Sequence, residues 1–167
     1  ARDWPIEAVS VDSRQVYRRM DIGTSKPTAA ERRALPHHLL DVVDPDQPYD
    51  AARFARDAAA AIADIRARGR RPVLVGGTGL YVRTLLDGIA PIPEVDAELR
   101  AAVRNMPVAN AYAALQKKDP QAAAALAPTD SSRITRALEV VESTGRSILS
   151  WRRAKVGGIA DDVSLKP

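Results

Sequence analysis

The sequence predicts an α/β fold in which short parallel strands are joined by helices. A strand-like run over Ile6–Val11 and a short apolar run over Pro72–Val75 lie on either side of one strongly patterned helix. The order strand, helix, strand is a βαβ unit, and its right-handed crossover makes the two strands parallel neighbours in a doubly wound sheet. The composition is that of a globular protein, since 46% of the residues are hydrophobic and 28% are charged.

The helix between these strands is predicted from capping residues and from apolar spacing. Asp50 can cap its first turn, and Gly69 can end it. Residues that recur on one helical face are Phe54, Ala58, Ala61, Ile62 and Ile65. We expect this face to pack against the sheet.

An unusually long connection links the first strand to this helix. It has roughly forty residues, whereas such connections usually have about two to six. Thr28 followed by Glu31 matches a capping box and predicts a short helix there. We reject a metal site at the neighbouring His37 and His38, because the chain has no third histidine and no cysteine. Loop packing or hydrogen bonding is the expected role of both histidines.

A proline-punctuated segment, Ala90–Pro93, marks the predicted end of the first domain. Beyond it the sequence predicts several short helices, whose N-caps are Asp96, Asp119 and either Asp130 or Ser131. We therefore predict an α/β core over residues 1–93, a helical insertion over 94–150, and a segment over 151–167 that returns to the core.

The chain carries an excess of positive charge, with a net charge of +4 and a pI near 9.7. Arg133 and Arg136 share a face near the start of a predicted helix, where backbone N–H groups also favour phosphate. This face is a candidate nucleic-acid surface, and a merely solvated helix face is the alternative. The lack of cysteine, of a signal peptide and of a long apolar run favours the cytoplasm and argues against a membrane protein.

Two polar loops follow the two predicted strands directly. They are the turn Asp12–Gln15 and the glycine-rich loop Gly76–Gly79. In an open parallel sheet ligands bind beyond the carboxyl ends of the strands, so both loops are expected to border one crevice. An aspartate there can act as a general base, and glycines allow backbone amides to approach an anion. Each loop taken alone is also explained as a structural turn.

Five blocks of the sequence, in this order, resemble the signature of the tRNA dimethylallyltransferases. The blocks are Asp12–Tyr17, Met20–Pro27, Pro36–Leu39, Leu74–Tyr81 and Arg136–Val140. The resemblance runs from about Glu7 to Trp151. It implies a P-loop-NTPase-like parallel sheet core with a helical insertion that binds a tRNA anticodon stem-loop.

The resemblance also implies an activity and its partners. A dimethylallyl group would pass from dimethylallyl diphosphate to N6 of an adenine next to the anticodon, with Mg²⁺ as cofactor. Such an adenine must leave the base stack before a protein pocket can reach its amino group. The full-length protein is expected to be a cytoplasmic monomer.

The same resemblance assigns roles to individual residues. Asp12 is the general base, and Thr78 lines the reaction channel beside both substrates. The residues implied in tRNA binding are Asp12, Ser13, Arg14, Gln15, Thr78, Arg100, Ser132, Arg133, Ile134, Thr135 and Arg136. Thr24 and Lys26 are placed on the diphosphate side, and no metal ligand is assigned.

The sequence departs from the family pattern in one respect. It contains no Gly-x-x-x-x-Gly-Lys-Ser/Thr loop, and the C-terminal helices of the family are also missing. We therefore expect a fragment that is inactive alone and that exposes apolar surface on its first strand, with dimerisation or aggregation as the consequence. Two alternatives stay open, namely a P-loop-type small-molecule kinase and a non-catalytic RNA-binding module.

Overall fold

The computed structural model describes residues 5–163, and its strands form a three-stranded parallel sheet. The strands are β1 (Ile6–Ser10), β2 (His37–His38) and β3 (Arg71–Val75), in the spatial order β2-β1-β3. Ala8 of β1 pairs with His37, and Val9 pairs with Leu74. The predicted parallel pairing of the first strand with the strand after the helix is confirmed.

β1 lies at the centre of the sheet, which corrects the expected exposure of apolar surface on this strand. The expectation overlooked β2, because two histidines between a proline and a leucine carry no strand signal. The amide of Ala8 donates to the carbonyl of Pro36 at 2.9 Å, so the long connection covers one edge of β1 while β3 covers the other. The exposed apolar side chains of the sheet are Val73 and Val75 on β3.

Among residues 5–163, three α-helices and the 3₁₀ helix Ala160–Asp162 complete the unit that contains the sheet. The α-helices are α1 (Ala29–Ala34), α2 (Ala51–Ala67) and α3 (Gly79–Asp87). The predicted caps are confirmed, since Thr28 and Glu31 form a capping box and Asp50 accepts from the amide of Arg53. α2 buries Phe54, whose ring stacks on that of Tyr81 of α3 with 4.3 Å between the ring centroids. Together they anchor α2 and α3 in the core of this unit.

Five helices form a second compact unit with a core of its own. They are α4 (Ala97–Arg104), α5 (Val108–Lys118), α6 (Pro120–Ala124), α7 (Ser131–Thr144) and α8 (Ile148–Arg153). Asp96, Asp119 and Asp130 cap α4, α6 and α7 as expected, and Gly145 ends α7 in the left-handed conformation. Within residues 5–163, no helix has both the length and the apolar composition needed to cross a membrane.

The boundaries of the two units differ slightly from the predicted domains. The helical unit is Ala90–Val156, whereas the insertion was expected over residues 94–150. Ile92 and Trp151 lie outside the expected range, and their side chains pack against the helical core. The chain rejoins the first unit near Ile159, whose amide donates to the carbonyl of Leu85 at 3.1 Å.

A buried glutamate joins β1 to β2 and to the segment that precedes β3. The carboxylate of Glu7 on β1 accepts from Nη2 of Arg68 at 2.8 Å, also contacts Nη1 of that residue, and lies 2.6 Å from Nε2 of His38. The hydrogen bonds from Arg68 lower the pKa of Glu7 to about 2, against the opposing effect of burial and with further help from His38. The hydrogen-bonding role expected for His38 is thereby confirmed.

The low pKa of Glu7 gives an expected acid sensitivity. Because the folded-state pKa of about 2 lies below the ordinary value of 4.5, ionised Glu7 stabilises the fold at neutral pH. That stabilisation is lost as pH falls from about 4.5 towards 2. We expect Glu7→Gln to lower the melting temperature at pH 7 and the difference from wild type to shrink across this range, as measured by circular dichroism. A difference that is constant with pH would contradict this role.

Candidate functional site

The Asp12–Gln15 turn and the glycine-rich loop meet at the carboxyl end of the sheet. The amide of Val11 donates to the carbonyl of Val75 at 2.7 Å, and the amide of Thr78 donates to the carbonyl of Val11 at 3.1 Å. The amide of Ser13 then donates to Oγ1 of Thr78 at 2.9 Å. These bonds confirm that the two loops meet at this end of the sheet, while a ligand crevice between them stays a prediction.

Gly76 allows this close approach. Its φ is +141°, and a Cβ built at this position would lie 2.7 Å from the carbonyl carbon and oxygen of Val11. Backbone atoms cannot rotate away as the end of a side chain can. A residue with any side chain would therefore push the two loops apart.

The carboxylate of Asp12 is fixed by its own turn. Its Oδ1 accepts from the amide of Arg14 at 2.8 Å and is 3.4 Å from the amide of Gln15. The side chain keeps 18% of its surface exposed. Within residues 5–163 no donor is bonded to Oδ2, so this oxygen is free to accept a proton from a substrate.

Thr78 places its hydroxyl against Ser13, the residue that follows Asp12. It is the N-cap of α3, but its side chain does not cap that helix. Instead Oγ1 accepts from the amide of Ser13 and donates to the Ser13 hydroxyl at 3.3 Å. The structure therefore brings Asp12, Ser13 and Thr78 together, as the resemblance implies.

Gln15 uses its amide group to position the loop that follows the turn. Its Oε1 accepts from the hydroxyl of Ser10 at 2.9 Å, and its Nε2 donates to the carbonyls of Thr24 at 3.0 Å and Ser25 at 3.1 Å. Arg14 differs, since 65% of its side chain is exposed. A contact of Gln15 with tRNA stays a prediction, while its structural contacts are explicit.

Thr24 and Lys26 also direct their polar atoms into the protein. The hydroxyl of Thr24 donates to the carbonyl of Met20 at 2.6 Å. Nζ of Lys26 donates to the carbonyl of Tyr17 at 2.6 Å, to Asp21 at 2.9 Å and to Asp41 at 2.7 Å. A diphosphate oxygen would have to displace one of these acceptors, so their assignment to the diphosphate side gains no support from the geometry.

The environment of Lys26 keeps it charged. Burial opposes the charge, but the hydrogen bonds to Asp41 and Asp21 outweigh it and raise the pKa of Lys26. Burial likewise opposes ionisation of Asp41, and its bonds to Lys26 and Arg32 hold the pKa of that carboxyl below its usual value. Sequence reasoning missed Asp41, because the contact spans the long connection and leaves no local pattern.

A cavity of about 550 Å³ lies at the same end of the sheet. Its lining residues are Ser10, Gln15, Ser25, Lys26, Pro27, Glu31, Ala34, Leu35, His37 and Val75. Most of them come from α1, the strand ends and the loop that Gln15 holds. No sequence signal pointed to the α1 residues as part of a site, since their spacing is that of an ordinary short helix.

The candidate tRNA-binding residues of the helical unit lie at the start of α7 and on α4. Arg133 is 71% exposed and pairs with Asp130 at 3.5 Å, whereas Nε of Arg100 is buried with no acceptor among residues 5–163. Thr135 donates its hydroxyl to the carbonyls of Ser131 and Ser132. Ile134 is the exception, because its side chain is fully buried in the helical core and does not reach the surface.

A comparison with protein families identifies the chain. The family model described as IPP transferase matches residues 15–164, which is most of the sequence. The chain belongs to the IPP transferase family.

Related sequences and solved structures agree with this IPP transferase assignment. A tRNA dimethylallyltransferase of Sphingopyxis alaskensis is 54% identical over 159 residues, which is 95% of this chain and 52% of that protein. The structure of a eukaryotic dimethylallyltransferase acting on tRNA superposes with a TM-score of 0.78 at 31% identity, covering 89% of this chain and 38% of that one. A tRNA isopentenylpyrophosphate transferase of Bacillus halodurans gives a TM-score of 0.51 at 44% identity over 85% of this chain and 48% of that one.

These comparisons also bear on the fold and on the extent of the match. They confirm the predicted P-loop-NTPase-like α/β class. The chain spans about half the length of the curated relatives it matches.

The described residues of this IPP transferase do not form a metal site by themselves. Among residues 5–163 there is no group of three or more histidine, cysteine, aspartate or glutamate side chains that could hold an ion. Mg²⁺ usually takes one or two carboxylates and fills its other positions with water and substrate phosphates. Asp12 offers one carboxylate in the turn, and Glu31 offers another in the lining of the cavity at the same end of the sheet.

The contact of Gly76 with Val11 leads to an expected difference between two adjacent glycines. Gly76→Ala should destabilise the fold by about 2 kcal/mol or more, because of its positive φ and the clash with backbone. Gly77→Ala is the matched control, since a Cβ there meets nothing within 4 Å. The melting temperatures of the two variants are measured by thermal unfolding. Equal melting temperatures would show that the loops do not depend on this contact.

Proposed function

We propose that this chain carries the acceptor side of a tRNA prenyl transfer. A dimethylallyl group would pass from dimethylallyl diphosphate to N6 of an adenine next to the anticodon. The observation that carries the proposal is the Asp12 carboxylate, which its own turn fixes at the carboxyl end of a parallel sheet, while the next residue, Ser13, is bonded to Thr78. Its support is that relatives about half identical to this chain are named tRNA dimethylallyltransferases.

The proposed chemistry assigns a proton transfer to Asp12. The N6 nitrogen attacks the allylic C1 carbon, a C–N bond forms, and the C1–O bond to diphosphate breaks with its electron pair leaving on oxygen. The nitrogen then carries an excess proton, which Oδ2 of Asp12 accepts. Backbone amides of the turn hold Oδ1, so the carboxylate does not have to reorganise during the step.

Thr78 and Ser13 are proposed to position the adenine against Asp12. Their hydroxyls are bonded to each other, and the pair is fixed by the contact between the two loops. A flipped adenine presents polar atoms along its edge, and hydroxyl groups can donate to these atoms or accept from them. In this proposal Thr78 and Ser13 position the base, and Asp12 accepts the proton.

The partners and setting complete the proposal. The anticodon stem-loop of tRNA would be bound partly by the exposed arginines of the helical unit, of which Arg133 is one. Dimethylallyl diphosphate is the donor, and Mg²⁺ accompanies it as the resemblance implies. We also propose that the full-length protein is a monomer and acts in the cytoplasm.

The role of Asp12 is tested in a chimera in which this chain replaces the matching half of the Sphingopyxis relative. Transfer is measured as prenylated adenosine in digests of undermodified tRNA by mass spectrometry. We expect Asp12→Asn to lower kcat by about 10²- to 10⁴-fold, because the proton acceptor is lost while the size of the side chain is kept. Binding of tRNA should change little.

Asp44→Asn is the matched control, since Asp44 is an exposed aspartate of the same unit that pairs with Arg18 away from the turn. Unchanged kcat in the Asp12 variant would contradict catalysis by this residue. A chimera that phosphorylates a small molecule and ignores tRNA would favour the kinase alternative. Transfer by the 167-residue chain alone would overturn the expectation that it is inactive by itself.

A further inference from the structure

A buried glutamate of the helical unit holds two arginine side chains. Glu139 on α7 is fully buried. Its Oε1 accepts from Nε of Arg104 on α4 at 2.8 Å, and its Oε2 accepts from Nη1 of Arg136 at 3.3 Å. A carboxylate in an apolar interior is costly unless it is paired and hydrogen-bonded, so both guanidinium groups are drawn to this point.

The two guanidinium groups remain accessible although their partner is buried. The side chains of Arg104 and Arg136 are 62% and 43% exposed, against 1% for Glu139. Each guanidinium carries several N–H donors, and Glu139 takes one from each. Two positive charges and one negative charge leave an excess positive charge at this surface.

A cavity of about 510 Å³ lies between these arginines and the first turn of α7. It is lined by Arg104, Met106, Val108, Ser131, Ser132, Thr135, Arg136 and Glu139. Planar guanidinium forks and serine hydroxyls are donors that bind phosphate oxygens. The exposure of both arginines suits a phosphate that belongs to a polymer lying on the surface.

We propose that Arg104 and Arg136 clamp a phosphodiester of the tRNA backbone in this cavity. Arg104 binds the phosphate directly, and Glu139 is a positioning residue that aims both guanidinium groups. The inference rests on the proposed function, because it takes tRNA as the ligand. Neither Arg104 nor Glu139 is among the residues that the sequence resemblance assigns to tRNA binding.

The experiment measures binding of undermodified tRNA to the chain by fluorescence anisotropy over a range of salt concentrations. We expect Arg104→Ala to weaken binding about tenfold and to reduce the slope of log affinity against log salt by about 1. Arg104→Lys keeps the charge but loses the fork, so binding should weaken while the slope is retained.

Glu139→Gln separates positioning from simple charge. The substitution keeps the size of the side chain and removes a negative charge near the ligand. If Glu139 acted only through its charge, tRNA would bind more tightly to the variant. We expect binding to weaken several-fold instead, because the glutamine amide offers one acceptor oxygen where the carboxylate offers two, and its NH₂ group cannot accept from the other guanidinium.

Lys118→Ala is the matched control. Lys118 is a half-exposed cation of the same helical unit, pairs with Glu142, and does not line the cavity. Its removal should leave affinity within about twofold of wild type, since exposed pairs contribute little. Thermal unfolding of every variant defines a temperature at which that variant is folded. If Glu139→Gln does not fold, the two Arg104 variants test the proposal by themselves.

The outcomes distinguish this inference from the proposed function. Wild-type affinity and salt slope in Arg104→Ala, or tighter binding in Glu139→Gln, would overturn the clamp while leaving the proposed function intact. Loss of inorganic phosphate binding in Arg104→Ala with tRNA binding unchanged would reassign the cavity to a free anion. A wild-type chain that binds no tRNA would overturn the proposed function and the clamp together.

Discussion

The close backbone contact between Gly76 and Val11 is the constraint on which the candidate site depends. It brings the end of β3 against the end of β1, and the Thr78 amide then bonds to the carbonyl of Val11. Ser13 and Thr78 become neighbours as a consequence, and Asp12 lies next to them in the same turn. A glycine with positive φ at one position thus determines the geometry of side chains from two distant parts of the chain.

In both units, buried charged side chains hold separate segments of the chain together. Lys26 joins Tyr17, Asp21 and Asp41 and so closes the long connection onto the turn. Glu139 joins α4 to α7 in the helical unit. In each case one charge in a poorly solvated place must be neutralised, and the partners it gathers come from separate elements.

The structure confirms the predictions of local structure where one type of side chain has one well-defined role, as in helix capping. The capping residues Thr28, Asp50, Asp96 and Asp130 begin helices where expected, because a side-chain oxygen satisfies amides that the helix leaves free. β2 escaped prediction because its pairing depends on β1 and not on its own composition. The buried contacts of Thr24 and Lys26 were not predicted from the sequence, because their acceptors lie far along the chain or on the backbone.

The sequence by itself determined the α/β class, the parallel pairing of the two main strands and the meeting of the Asp12–Gln15 turn with the Gly76–Gly79 loop. These features depend on local pattern and on the handedness of βαβ units, which a chain encodes over short distances. Only the tertiary structure decided which polar side chains face outward. Lys26 and Arg133 are both cations, yet the side chain of Lys26 is 3% exposed and that of Arg133 is 71% exposed, because burial depends on what packs against each residue.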